Sequence, residues 1–231
     1  MMPRMSTANK IICVIPALNA QGSLKTTLAA LGSLPVIVAD GGSTDQTCAI
    51  AERAGARVIA STRGRGQQLT TGADTAVADG AAWLLFLHAD TVLGEGWRAE
   101  VDAFVATPDN LHKAAVFQFA LDENTAPTRR LERLVAWRTR VLALPYGDQG
   151  LLIPAAFYQQ LGGFRPLELM EDVDMVRRIG ASRLHTLKVP AMTSAAKFRR
   201  DGYMRRSARN LICLGLYFLG VPVRWIARLY G

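Results

Sequence analysis

In the first half of the chain, short apolar runs rich in β-branched residues alternate with stretches of helical spacing, and this alternation constrains the fold more than any other feature. Strands are expected over residues 11–16, 35–39, 57–60 and 83–87. Between them Leu24, Leu28 and Leu31 recur at helical spacing. Ser43, Thr44 and Asp45 offer a cap ahead of a helix over 47–54, and a third helix is expected over 67–78. Such a succession builds a mostly parallel α/β sheet with helices on its faces. Ligands of these sheets bind beyond the carboxyl ends of the strands, so the loops after Pro16, Ala39, Ala60 and Leu87 should converge on one site.

Past Leu87 the rhythm changes. Helices are expected near 95–106, over 127–144 and 155–161 and from Glu171 onward, with strands over 114–121 and 150–153. No repeat, low-complexity tract or linker interrupts the 231 residues, a length that suits one domain. The expected parts are a first region over about 11–95 that looks nucleotide-binding, a second over about 96–200 that shapes the rest of the pocket, and a C-terminal helical segment over about 201–231.

With half of its residues hydrophobic and a fifth charged, the chain can bury a core, which excludes a disordered tail or a disulfide-stapled miniprotein. The net charge of +8 suits an anionic partner, whether a nucleotide phosphate, a nucleic acid or a membrane surface. Nucleic acid is not expected, because no homeodomain, zinc-finger or RNP pattern accompanies the arginines. Cys13, Cys48 and Cys213 are widely spaced and form no CxxC, so reduced cytosol is the expected compartment. The apolar run over 11–18 follows Arg4 and Lys10 as in a signal peptide, but Pro16 interrupts it and its β-branched residues fit a buried strand. Near the other end residues 211–223 are apolar, shorter than the roughly 20 residues of a membrane span. Arginines flank this run on both sides, so it either packs on the core or lies against an anionic membrane at its inner face.

Two segments close an apolar strand with a carboxylate: Val36-Ile37-Val38-Ala39-Asp40 and Leu84-Leu85-Phe86-Leu87-His88-Ala89-Asp90. An acid at a strand's carboxyl edge can meet a metal or a ribose, although Asp40-Gly41-Gly42-Ser43 also reads as a plain turn and cap. There is no GxxxxGK[ST] loop, and Gly64-Arg65-Gly66 is not a full dinucleotide-binding fingerprint.

Taken together with Val14-Ile15-Pro16-Ala17-Leu18-Asn19, Arg63-Gly64-Arg65-Gly66-Gln67-Gln68, Tyr146-Gly147-Asp148-Gln149-Gly150, Gly162-Gly163-Phe164 and Met170-Glu171-Asp172-Val173-Asp174, these segments run in a familiar order. The chain resembles a family 2 glycosyltransferase, in particular the selenodomain-associated or radical-SAM-associated branch. The resemblance covers roughly residues 11–200 and implies the GT-A type of nucleotide-diphospho-sugar fold, with inverting transfer of a sugar to an acceptor hydroxyl. A nucleotidyltransferase or a sugar-nucleotide hydrolase is the nearest rival.

What the resemblance implies for single residues is specific. Asp172 is the general base, with Glu171 positioning the acceptor or the base. Both also suit a helix's first turn electrostatically. Asp90 is the metal-binding acid, and His88 stands where the family usually has Asp, reaching the metal, ribose or sugar. The cofactor is then a divalent cation, manganese or magnesium. Pro16, Ala17, Asn19, Asp40, Gly41, Gly42, Arg63, Arg65, His88 and Ala89 are expected around the nucleotide, which by resemblance is UDP-linked. Ala20 and Gln21 occupy the place where many relatives carry an acid. Asp148, Gln149, Gly163, Thr193, Ser194, Lys197 and Arg199 are expected to contact donor or acceptor; an ordinary basic loop is the alternative for the last four.

Overall fold

A computed structural model describes residues 9–195 and 202–230. One eight-stranded sheet organises them, in the order β3-β2-β1-β4-β7-β6-β8-β5. Strands β1 (Ile11–Ala17), β2 (Val36–Asp40), β3 (Arg57–Ala60) and β4 (Trp83–Phe86) pair in parallel, as expected, and all four run their carboxyl ends toward one edge. The order reverses at β1, which lies between β2 and β4 and so opens a crevice at its end. Beyond β4 the sheet becomes mixed. β7 (Leu151–Pro154) runs antiparallel to both β4 and β6 (Ala114–Leu121). β8 (Leu184–Thr193) is parallel to β6, and the short β5 (Thr91–Leu93) closes the edge against β8.

Alternation along β1 explains how the sheet is buried on both faces. Ile11, Cys13 and Ile15 point to one apolar layer with α1 (Leu24–Leu31) and α4 (Trp97–Val105). Ile12 and Val14 point to the other, where α3 (Arg65–Ala78), α6 (Ala155–Gln160) and α7 (Glu171–Ile179) pack. Gly72 lets α3 come close: a Cβ there would stand 2.4 Å from Val14 Cγ1. The remaining helices are α2 (Thr47–Arg53), α5 (Ala126–Leu142), α8 (Tyr203–Phe218) and α9 (Val223–Tyr230). The last two join Leu144, Met170 and Val173 in a separate apolar cluster through Cys213, Leu214 and Ile226.

Sequence spacing did not reveal β5 or β8. β5 has three residues, and β8 carries Lys188 and Pro190 and is paired across a register shift between Val116 and Gln118, so neither shows a clean apolar run.

The first two strand ends are tied by a side chain from α3. Gln68 is buried and its amide donates to the carbonyls of Ala17 at 2.7 Å and Ala39 at 2.8 Å. Leucine at position 68 would keep the volume and strand these acceptors. Gln68→Leu should therefore lower unfolding free energy by about 1–3 kcal/mol in denaturant titration.

Candidate active site

The loops after β1 and β2 are stitched to one another. Asn19 adopts a left-handed conformation, φ 49°, which aims its side chain across the gap. Its Oδ1 accepts from the Thr44 N–H at 2.9 Å, and its own N–H donates to the Ser43 hydroxyl at 2.9 Å. Asp40 holds the second loop: Oδ2 accepts from the N–H groups of Gly42 and Ser43 at 3.0 and 2.9 Å, and Oδ1 accepts from the Ser43 hydroxyl. Burial pushes this carboxyl up, but the Ser43 and Gly42 donors outweigh it and hold Asp40 below the usual carboxylate range. The Gly41 N–H donates to the Ala17 carbonyl at 2.9 Å, so the ends of β1 and β2 form one rigid ledge.

Beside that ledge a cleft is lined by Arg65, His88, Asp90, Gly147, Asp148 and Asp172, among others. His88 and Asp90 follow β4, and Asp172 lies in the first turn of α7. Met170 precedes α7 with φ 65°, a left-handed conformation uncommon for a side chain of its size. After that turn Glu171 is buried while Asp172 borders the cleft. Asp172 Oδ2 accepts from the Gly147 N–H at 2.7 Å. Gly147 has no room for a side chain, since a Cβ would lie 2.7 Å from His88 Nε2 and 3.4 Å from Asp172 Oδ2.

Arg65, the first residue of α3, joins this group from the opposite helix. Its Nε donates to Glu171 Oε1, and its Nη2 lies 4.0 Å from Asp172 Oδ2. The contact depends on Gly66, whose absent Cβ would otherwise meet the Arg165 carbonyl at 2.5 Å. Glu171 is 1 % exposed, and its Oε2 has no hydrogen-bond partner among the described residues. Burial raises its pKa, with Arg65 opposing and Asp172 reinforcing the shift.

The sequence matches the model of glycosyl transferase family 2 over residues 12–150, more than half of the chain. The chain belongs to glycosyl transferase family 2. It is thus a nucleotide-sugar glycosyltransferase, which sets the nucleotidyltransferase reading aside. The structure is similar to TarS 1–349 from S. aureus, with a TM-score of 0.61 and 16% identity, covering 96% of this chain and 69% of that one. It is equally similar to glucosyl-3-phosphoglycerate synthase from Mycobacterium tuberculosis, with a TM-score of 0.61 and 20% identity, covering 96% and 87%. These likenesses establish a shared GT-A fold. No curated protein sequence matches the chain.

Within this glycosyltransferase the structure gathers Arg65, His88, Asp90, Asp148, Asp172, Thr193 and Ser194 around one cleft. Pro16, Ala17, Asn19, Asp40, Gly41 and Gly42 form the adjacent ledge, and Ala89 lies between the two cleft residues that follow β4. The Thr193 hydroxyl donates to the Asp90 carbonyl at 3.5 Å, tying β8 to the β4 loop. Three expected residues lie elsewhere. Gln149 is buried behind the cleft, where its amide donates to the Phe117 carbonyl at 3.0 Å and accepts from the Thr139 hydroxyl at 2.9 Å. Gly163, with φ 66°, packs against the Tyr158 ring. Arg63 is exposed on the loop ahead of α3 and does not line the cleft. Lys197 and Arg199 lie outside the described residues.

Sequence reasoning missed Arg206 and Asn210 on α8 and Tyr230 on α9, which line the same cleft from far along the chain. Arg206 and Asn210 are four residues apart on one helical face, a spacing visible in sequence but without a partner motif.

Asp148 offers a test of the electrostatics. Burial is the main cause that raises its pKa, and Asp172 and Asp90 add to it against Arg138 and Arg65, to about 6 from an ordinary 3.8. Between those values the folded state holds a proton that the unfolded chain has lost, so this group makes stability fall as pH rises. Asp148→Asn should therefore unfold at a higher temperature than wild type at pH 7, and the gain should vanish below about pH 4 in paired melting curves.

Proposed function

We propose that this glycosyltransferase moves a sugar, with inversion, from a UDP-linked donor to an acceptor hydroxyl, and that Asp172 is the general base. The observation that carries the proposal is the placement of Asp172 in a cleft shared with Asp90 and His88 at the end of β4. Inversion by single displacement requires a base on the face of the sugar opposite the leaving group. Asp172 takes the proton of the acceptor hydroxyl as that oxygen bonds to the anomeric carbon; the bond from that carbon to the diphosphate oxygen breaks, and the nucleoside diphosphate leaves with the electron pair. The Gly147 N–H fixes Asp172 Oδ2, and the Arg65–Glu171 pair holds the head of α7 in position. TarS from S. aureus has been crystallised with UDP-GlcNAc, which supports the choice of a UDP-linked donor.

A divalent cation fits the donors at the end of β4. Hard cations commonly take one or two carboxylates together with substrate phosphates. Among the described residues no three His, Cys, Asp or Glu side chains converge as a metal cage, so Asp90, with His88 beside it, would share the ion with the diphosphate. When bound, such an ion neutralises charge on the leaving diphosphate. The mycobacterial synthase was crystallised with UDP and either Mn2+ or Mg2+, which supports a cation of this class. The ledge of Pro16, Ala17, Asn19 and Asp40 borders the base and ribose, with Asp40 shaping the loop through its local hydrogen bonds. Asp148, Ser194 and Thr193 contact the sugar.

The enzyme works in the cytosol, where Cys13, Cys48 and Cys213 stay unpaired, and residues 211–223 bring it to the inner face of the membrane. No helix among the described residues is long and apolar enough to cross a membrane, so the contact is peripheral.

Asp172→Asn keeps the side-chain volume and removes the proton acceptor. It should lower turnover about 100-fold to 10,000-fold in a donor–acceptor assay while UDP affinity stays close to wild type. Turnover at the wild-type rate would eliminate Asp172 as the base. For the cation, Asp90→Ala should weaken manganese-dependent UDP binding in calorimetry far more than Asp74→Ala, a substitution at an exposed position of α3. Equal effects would remove Asp90 from the metal site.

A further inference from the structure

Exposed apolar side chains are concentrated on three helices. Among the described residues every exposed large hydrophobic except Leu111 lies on or directly beside α5, α8 or α9. On α5, Leu134, Trp137 and Val141 follow helical spacing and Trp137 is 50 % exposed, while Val135 and Thr139 are buried against the protein. On α8 the exposed stripe runs through Leu211 and Ile212 to Phe218, and Leu219 beyond it is 81 % exposed. Trp225 and Leu229 form the same kind of pair on α9.

The three helices share one buried cluster: Leu144, two residues past the end of α5, joins Cys213 and Leu214 of α8 and Ile226 of α9. Charge accompanies the apolar atoms with a single sign. Residues 203–230 contain no Asp or Glu and, besides cleft-lining Arg206, four arginines; α5 carries, besides buried Arg138, four arginines against Glu132 alone. The guanidiniums of Arg224 and Arg228 stand 5.9 and 5.0 Å from the Trp225 ring centroid, which places cation and aromatic together as an interface helix does.

We propose that α5, α8 and α9 form one docking surface for an anionic lipid bilayer, with α5 an equal part of it. The inference rests on the peripheral membrane contact of residues 211–223 and extends it to a helix over 60 residues earlier in sequence. A second copy of the chain is a poorer occupant. A two-fold contact would set arginine-rich faces against each other. A bilayer with anionic head groups satisfies both the apolar stripe and the surrounding charge. The arrangement also bears on the chemistry, because α8 and α9 carry Arg206, Asn210 and Tyr230 into the cleft on their other side. The cleft wall then lies about one helix diameter, roughly 10 Å, above the lipid-facing stripe.

Co-sedimentation with phosphatidylcholine vesicles, with and without phosphatidylglycerol, tests the proposal on the full chain. Wild type should partition onto the anionic vesicles and be released as salt rises. Trp225→Glu on α9 and Trp137→Glu on α5 should each lower that partition by about tenfold or more, with unchanged melting temperature and UDP affinity. If Trp137→Glu unfolds the protein, Val141→Glu repeats the test on the same stripe. Loss of binding in Trp225→Glu with wild-type binding in a folded α5 variant would overturn the three-helix surface and leave the C-terminal contact standing. A wild type that ignores anionic vesicles at low salt would overturn both. A lipid-free dimer that Trp137→Glu splits, together with no vesicle binding, would assign the surface to a second copy instead.

Discussion

The pairing of Arg65 with buried Glu171 is the constraint on which the site depends. It connects the first residue of α3 to the first residue of α7 and thereby joins the parallel half of the sheet to the helix that presents Asp172. A carboxylate buried this deeply is costly alone, and a buried ion pair often gains little net stability over an apolar replacement. What it supplies is placement. Glu171 Oε1 is engaged by Arg65 Nε, Asp172 Oδ2 is held by the Gly147 N–H, and His88 fills the space a Gly147 side chain would need. Each contact presupposes the next, so the two acids of α7 keep distinct duties, one anchored in the interior and one facing the cleft.

Among the described residues the cleft is more acidic than the protein as a whole: Asp90, Asp148 and Asp172 face it, with Arg65 and Arg206 as the cationic groups on its walls. A divalent cation held by Asp90, with His88 beside it, would offset the charge of these carboxylates and of a bound diphosphate. Burial and the neighbouring Asp172 and Asp90 raise the Asp148 pKa to about 6, so its protonation relieves their mutual repulsion only below that pH.

Much of this was legible in the sequence wherever structure is local. The strands over 57–60 and 114–121 emerge with the expected bounds, and strand-terminal acids fell at the carboxyl edge because β-branched runs announce where a parallel strand stops. Legibility failed where the partner is distant. Gln149 stands beside Asp148 in sequence, yet the short 3-10 turn over Gly147–Gln149 sends its amide inward to Phe117 and Thr139, a direction no motif reveals. Gln68 sat in plain view within the Arg63–Gln68 segment, but its role as a clamp exists only once β1 and β2 are adjacent. Arg206, Asn210 and Tyr230 reach the cleft because Cys213, Leu214 and Ile226 dock on Leu144 and Val173, a contact between segments remote in sequence.

That docking explains why the C-terminal helices serve two surfaces at once. A helix has room for a buried stripe, a cleft-facing edge and an exposed stripe only if its residues are divided among them by angle. On α8 the division is clean: Cys213 and Leu214 are buried, Arg206 and Asn210 face the cleft, and Leu211, Ile212 and Phe218 are exposed. A helix that merely covered the core would gain nothing from the last group, since large apolar side chains on a free surface favour association. Their retention beside a one-signed set of arginines ties the exposed face to an anionic apolar partner. The cleft-facing edge, Arg206 and Asn210, ties the same helix to the cleft. Displacing α8 would therefore disturb both together, so that occupancy of the outer surface and the shape of the cleft are two properties of one packed element.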